Sequence, residues 1–79
     1  MTLSRRGDRP AAPRATPAEI AQLDGVIALQ QRALAQHRAA TRHWRAAGDD
    51  DRADAALWRE DYVSGLLVQL RIDRLALGA

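Results

Sequence analysis

Eight positions between residues 20 and 44 recur at alternating intervals of three and four residues. They are Ile20, Leu23, Ile27, Gln30, Leu34, His37, Thr41 and Trp44. Because residues at this spacing lie on one face of an α-helix, the pattern predicts a long helix with a seam along one side. The intervening residues are mostly Ala, Gln and Arg, which are strong helix formers, so the whole segment is expected to be helical.

The start of this helix is marked by the stretch "TPAE". Thr16 can act as the N-cap, Pro17 suits the first helical position, and Glu19 stands three residues after the threonine. This is the sequence of a capping box with proline at its first turn. We therefore predict that the helix begins at residue 17.

The run "AAGDDDRADA" separates the first helix from a second one of similar length. Gly48 can adopt the left-handed conformation that ends a helix, and Asp49 or Asp50 is placed to cap the next. Gly78 marks the end of the second helix in the same way. We predict helices at about 17–47 and about 50–77, joined by a turn at 48–50. Residues 16–79 are then one helical hairpin, preceded by a flexible Arg/Pro-rich tail at 1–15.

Two helices of equal length with so short a connection should fold back antiparallel. Residues whose numbers sum to about 97 then lie opposite one another, which pairs apolar positions of the two helices and places His37 opposite Glu60. The predicted fold is all-α, a long, coiled-coil-like two-helix hairpin. On the second helix, the arc expected to cover the first helix contains Tyr62, Val63, Leu66, Leu70 and Leu77.

A second apolar set lies on the same helix, on roughly the opposite side. It consists of Leu57, Val68, Ile72 and Leu75. One partner helix can cover only one of the two faces, so the second set predicts a partner-binding surface. Three interpretations stand beside each other: isolated surface leucines, a homodimer that forms a four-helix bundle, or binding to another helical protein.

Size supports association. A single core is marginal in 79 residues without disulfides, metals or oligomerisation, and the chain has no cysteine. The lack of cysteine also fits a reducing compartment, and no segment approaches the roughly 20 apolar residues of a membrane span. We therefore expect a cytoplasmic protein without a membrane partner. All twelve basic residues are arginine, which is typical of a GC-rich bacterial genome.

The positive charge of the chain is concentrated at its N-terminus. Residues 1–15 have a net charge of +3, whereas residues 16–79 contain eight arginines against nine acidic residues. The alternative function is therefore binding to nucleic-acid phosphates through this tail and through an arginine stripe on the first helix. The candidate residues are Arg5, Arg6, Arg9, Arg14, Arg38, Arg42 and Arg45.

The remaining polar residues do not form the pattern of a catalytic or metal site. Three contiguous aspartates cannot converge on one cation from a helix, and the alternation of acids in a calcium loop is missing. His37 and His43 are six residues apart, on different helical faces, without cysteine ligands. His37 is expected to form a hydrogen bond in the core, with a pH-sensitive contact as the alternative.

These patterns predict a non-enzymatic module for protein–protein interaction or assembly, such as a small adaptor or regulator, acting through helix-on-helix packing. No cofactor, metal or small-molecule substrate is expected. The expected partner is a second copy of the chain or another helical protein. A catalytic site formed between subunits stays open at this stage.

Overall fold

The computed structural model describes residues 15–78, which form two α-helices and no strand. Helix α1 is Pro17–Ala46 and helix α2 is Asp50–Ala76. Both begin at the predicted residue and end one residue earlier than predicted. The all-α helical hairpin is therefore confirmed. The predicted tail falls outside the described residues except for Ala15.

The N-terminus of α1 is held by a complete capping box. The Thr16 hydroxyl accepts a hydrogen bond from the Glu19 backbone N–H at 3.1 Å, and the Glu19 carboxylate accepts one from the Thr16 backbone N–H at 3.2 Å. Pro17 occupies the first turn, where its missing N–H has no intrahelical partner to lose. An N-cap of this type stabilises a helix by about 1 kcal/mol.

The aspartate run forms the turn between the helices and the start of α2. Gly48 has a φ of 75°, and the Asp49 N–H donates to the Trp44 carbonyl at 2.9 Å. Asp49 then caps α2, because its carboxylate accepts a hydrogen bond from the Arg52 N–H at 3.1 Å. Asp50 and Asp51 lie in the first turn, where the positive end of the helix dipole favours them.

Substitution of Gly48 by alanine is expected to destabilise the hairpin by about 1–2 kcal/mol, since a Cβ disfavours the left-handed conformation. No atom lies within 4 Å of the position that a Cβ would take, so backbone strain is the only cost. Gly25→Ala is the matched control because Gly25 is helical and equally uncrowded. It should stabilise by about 0.5–1 kcal/mol. Urea unfolding followed by circular dichroism would measure both, and a destabilising Gly25→Ala would contradict this account of the two glycines.

Ion pairs at both ends of the hairpin show that the helices are antiparallel. At the open end, Arg74 Nε lies 2.8 Å from Asp24 Oδ1. Near the turn, Arg45 lies 4.0 Å from Asp54. The residue numbers of Asp24 and Arg74 sum to 98, one more than the sum predicted for facing residues. The pairing of the two helices was therefore predicted closely.

The core of the hairpin is thin and lies mainly on α2. Its buried apolar residues in the described chain are Ala53, Ala56, Val63 and Leu67. Together with half-buried Glu60, Leu70 and Arg74 they follow intervals of three and four, which defines the seam of α2. On α1 the seam is as predicted: all eight positions are half-buried or, for Thr41, buried.

The predicted α1-facing arc of α2 is partly wrong. Tyr62 is 63% exposed and Leu77 is 39% exposed, whereas Leu67, which the arc omitted, is 2% exposed. The reason is that the arc was drawn through large apolar side chains. The seam instead passes through alanine and through the aliphatic stems of Glu60 and Arg74, which can cover apolar surface while their charges reach water.

Candidate interaction surface

The four residues predicted to bind a partner are all exposed on α2. Leu57 is 37% exposed, Val68 57%, Ile72 53% and Leu75 80%. Leu67 lies beside Val68 in sequence and is nearly fully buried against α1. The two neighbours therefore separate the face that α1 covers from a face that nothing in the described chain covers.

The exposed face adjoins the seam and does not lie opposite it. At about 100° per residue, Leu57, Val68 and Leu75 lie about 80–100° from Leu67, and Ile72 lies about 140° away. This corrects the sequence interpretation, which placed the set on roughly the opposite side. We call the side of α2 defined by Leu57, Val68 and Leu75 the α2 flank, with Ile72 at its edge.

Polar residues interleave with the apolar ones on the α2 flank. Positions 57, 61, 64, 68, 71 and 75 follow alternating intervals of four and three, and Asp61, Ser64 and Arg71 occupy the positions between the apolar ones. Asp61 and Arg71 are exposed, and neither has an ion-pair partner within residues 15–78. The flank is thus a second helical seam of mixed chemistry with two charges available.

Helix α1 contributes to the same side of the hairpin. Because the helices are antiparallel, residues rotated in the same sense from each seam lie on the same side. By this rotation Arg38 of α1 lies on that side, and its Nε is 3.8 Å from the Glu60 carboxylate of the α2 seam. Asp24, Ala28, Gln31 and Ala35 of α1 also lie there. The surface beside the α2 flank is therefore made of small and polar residues.

A second set of exposed apolar residues occupies the other side. It includes Val26, which is 38% exposed, Leu29 at 55% and Tyr62 at 63%, whereas Trp58, 69% exposed, lies about 180° from Leu67 and faces directly away from α1. The rings of Trp58 and Tyr62 stack on each other at 5.9 Å. Sequence reasoning placed Tyr62 on the arc of α2 that covers α1, which is wrong. It also missed Val26 and Leu29, although Val26, Ala33 and Ala40 repeat at intervals of seven.

Of the three Trp and Tyr side chains in the described residues, Trp44 packs near the turn. Trp44 is half-buried, with the Arg52 guanidinium 4.6 Å from its ring centroid and the His43 ring edge-on to it at 4.7 Å. Arg52 and Trp44 come from different helices, so this cation–π contact joins α1 to α2 beside the turn. It is a structural contact and leaves the α2 flank free.

A polar contact interrupts the seam between its middle and the turn. The buried Thr41 hydroxyl hydrogen-bonds to Glu60 and lies 3.0 Å from the His37 carbonyl. Glu60 also pairs with Arg38. The predicted partner of Glu60, the His37 side chain, is thus replaced by Thr41, which lies one helical turn closer to the connection. The described chain leaves no buried side-chain nitrogen or oxygen without a hydrogen-bond partner.

The acidic and histidine residues of the hairpin are not grouped. Within residues 15–78, no cluster of three or more His, Asp or Glu side chains could hold a metal ion. Asp49 is used as a helix cap, and Asp24, Asp54 and Glu60 pair with arginines. The aspartates at the turn therefore have a structural explanation.

The arginine stripe on α1 is partly engaged by α2. Arg38 contacts Glu60 and Arg45 contacts Asp54, whereas Arg42 is exposed without an ion pair in the described part. The side chains of Arg38 and Arg45 remain more than half exposed. The four other candidates, Arg5, Arg6, Arg9 and Arg14, lie outside the described residues.

Charge differs between the helices. Helix α1 has four arginines and two acidic residues, a net charge of +2, and α2 has four arginines and six acidic residues, a net charge of −2. Neither described helix has the long apolar stretch needed to cross a membrane. The hairpin thus presents both signs of charge together with exposed apolar residues.

Comparisons of the chain with protein-family models, curated proteins and solved structures gave no match. The chemistry of the exposed faces is therefore the basis for a functional proposal.

Proposed function

We propose that the chain is a non-enzymatic interaction or assembly module that binds a helical protein surface through the α2 flank. The observation that carries the proposal is the exposure of Leu57, Val68, Ile72 and Leu75 on a helix whose neighbouring face already packs on α1. Helix-on-helix recognition uses apolar anchors at this spacing, and the interleaved charges select the partner.

The thinness of the core supports this proposal. Two of the four buried apolar residues are alanines, which bury little surface. Each Å² of apolar surface that a partner removes from water contributes roughly 25 cal/mol. A partner that covers the flank would therefore stabilise a hairpin whose own core buries little apolar surface. A chain of 79 residues without cysteine has few other means of stabilisation.

The proposed role is that of a small adaptor or regulator in a bacterial cytoplasm. The absence of cysteine fits a reducing compartment, and the all-arginine basic composition is typical of GC-rich bacterial genomes. The non-enzymatic part of the proposal follows from shape. Two helices packed along one seam present convex sides, whereas substrate sites are usually concave.

Capture experiments with the full chain would test this role. A tagged copy is incubated with an untagged copy and with an extract of the native host, and the retained proteins are identified. Leu75→Ser should remove the bound proteins while leaving the helical circular dichroism spectrum unchanged, because Leu75 is 80% exposed. The control is Gln69→Ser, on the other side of α2. Retention that is unaffected by Leu75→Ser would contradict a function of the α2 flank.

Binding to nucleic acid is the second proposal. It is favoured by exposed Arg42 and by Arg38 and Arg45, whose side chains form ion pairs but remain more than half exposed. Phosphate contacts release counterions, so such binding should weaken steeply with salt. Fluorescence anisotropy with a labelled duplex at about 50 and 200 mM salt would measure this. Retention of a protein partner through apolar contacts should instead persist at the higher salt concentration.

A further inference from the structure

We propose that the partner of the α2 flank is a second copy of this chain, packed antiparallel about a two-fold axis near Leu66. This inference rests on the proposed function and gives it a specific partner. A two-fold interface must be self-complementary, because each contact between two positions occurs twice with the chains exchanged. The α2 flank and the adjacent side of α1 both meet this requirement.

On α2, the flank is complementary to its own reverse. With two antiparallel copies centred at residue 66, positions whose numbers sum to 132 lie opposite one another. Leu57 of one copy then faces Leu75 of the other, Ser64 faces Val68, and Asp61 faces Arg71. Apolar side chains meet at both ends of the contact, and each unpaired aspartate meets an arginine.

On α1, the same symmetry holds about Gln31. Antiparallel copies centred there place Asp24 of one copy opposite Arg38 of the other and Ala28 within one residue of Ala35, while Asp24 and Arg38 also keep partners on α2 of their own hairpin. The small alanine side chains allow the two α1 helices to approach closely. In the hairpin, the register of about 97 puts Gln31 opposite Leu66, and the ion pair between Arg38 and Glu60 departs from it by one residue. One two-fold axis therefore serves both helices.

The charges also select the direction of pairing. In a parallel arrangement of two α2 helices, Asp61 would lie beside Asp61 of the other copy and Arg71 beside Arg71, and like charges in contact are unfavourable. In the antiparallel arrangement both contacts join opposite charges. Because Asp61 and Arg71 have no ion-pair partner in the described hairpin, forming these contacts breaks none within the chain.

Charge exchange tests this geometry with the full chain. Asp61→Arg places two arginines opposite each other twice per dimer, and Arg71→Asp does the same with aspartates. Each variant alone should raise the dissociation constant of the dimer by about tenfold or more. An equimolar mixture of the two variants should dimerise like the wild type, because the arginine introduced at position 61 of one copy then meets the aspartate introduced at position 71 of the other.

Sedimentation velocity would measure the association, and circular dichroism would verify that both exposed substitutions leave the helices intact. The double variant D61R/R71D should also dimerise, since both charges are exchanged within one chain. Single variants that dimerise like the wild type, or a mixture that does not recover, would overturn the antiparallel pairing. A monomeric wild type that still captures another protein through Leu75 would overturn the homodimer and leave the proposed function standing.

Discussion

Replacing Leu67 by alanine is expected to lower the free energy of unfolding by about 2–5 kcal/mol, the range for removing a buried leucine side chain. Leu67 is 2% exposed and is the largest fully buried side chain of the described residues. The other buried apolar residues, two alanines and Val63, cannot move far enough to fill the space that it leaves. Since small domains are stable by only about 5–15 kcal/mol, this loss is a large part of the total, and the urea midpoint of the variant should fall markedly.

The matched control is Leu29→Ala, the same chemical change at a residue that is 55% exposed on the other side of the hairpin. The expected loss of stability is below about 1 kcal/mol, because truncation of an exposed side chain leaves no cavity in the core. Urea unfolding of both variants at one fixed protein concentration, followed by circular dichroism, gives the comparison. Equal losses of stability would show that Leu67 is not the centre of the core.

Replacing Val68 by aspartate should abolish self-association without unfolding the hairpin. Val68 is 57% exposed in the single hairpin, so a carboxylate there remains solvated as long as the chain is a monomer. In the dimer it would face Ser64 of the other copy, with no cation opposite it. Burying such an unpaired charge costs about 2–5 kcal/mol, and the two-fold axis places two of them in each dimer, so the dissociation constant should rise by at least about a hundredfold.

Leu29→Asp is the control for this substitution. Leu29 has nearly the same exposure, 55%, and lies on α1 outside the α2 flank. Light scattering at high protein concentration should therefore show a monomer for Val68→Asp and an unchanged dimer for Leu29→Asp. If Leu29→Asp dissociates the dimer and Val68→Asp does not, the interface lies on the other side of the hairpin.

The fold was predictable because its signals are local and repeated. The capping box at Thr16, the left-handed Gly48 and the alternating intervals along α1 each act within a few residues, and all agree with one hairpin. The arc of α2 was predicted less well because it depends on a seam that contains alanine and charged residues. Side-chain size alone pointed to Tyr62, whereas helical spacing from Leu67 places Tyr62 outside.

The candidate surface was also predictable only in part. The exposure of Leu57, Val68, Ile72 and Leu75 was predictable because α2 has two apolar sets and α1 can cover only one of them. The angle between this face and the core, and the presence of Val26 and Leu29 on the other side, required the positions of both helices. Whether Glu60 contacts His37 or Thr41 depended on a shift of one helical turn, which the approximate register did not resolve.

In the proposed antiparallel dimer, a second copy of the chain covers the α2 flank of the hairpin. Unfolding measured as a function of protein concentration tests it most directly, since association stabilises only the folded chain. We predict that the urea midpoint of the wild type rises with protein concentration. Each tenfold increase in concentration should raise the free energy of unfolding by about 1.4 kcal/mol per mole of dimer. The midpoint of Val68→Asp should not change. A wild-type midpoint that is independent of concentration would contradict the dimer.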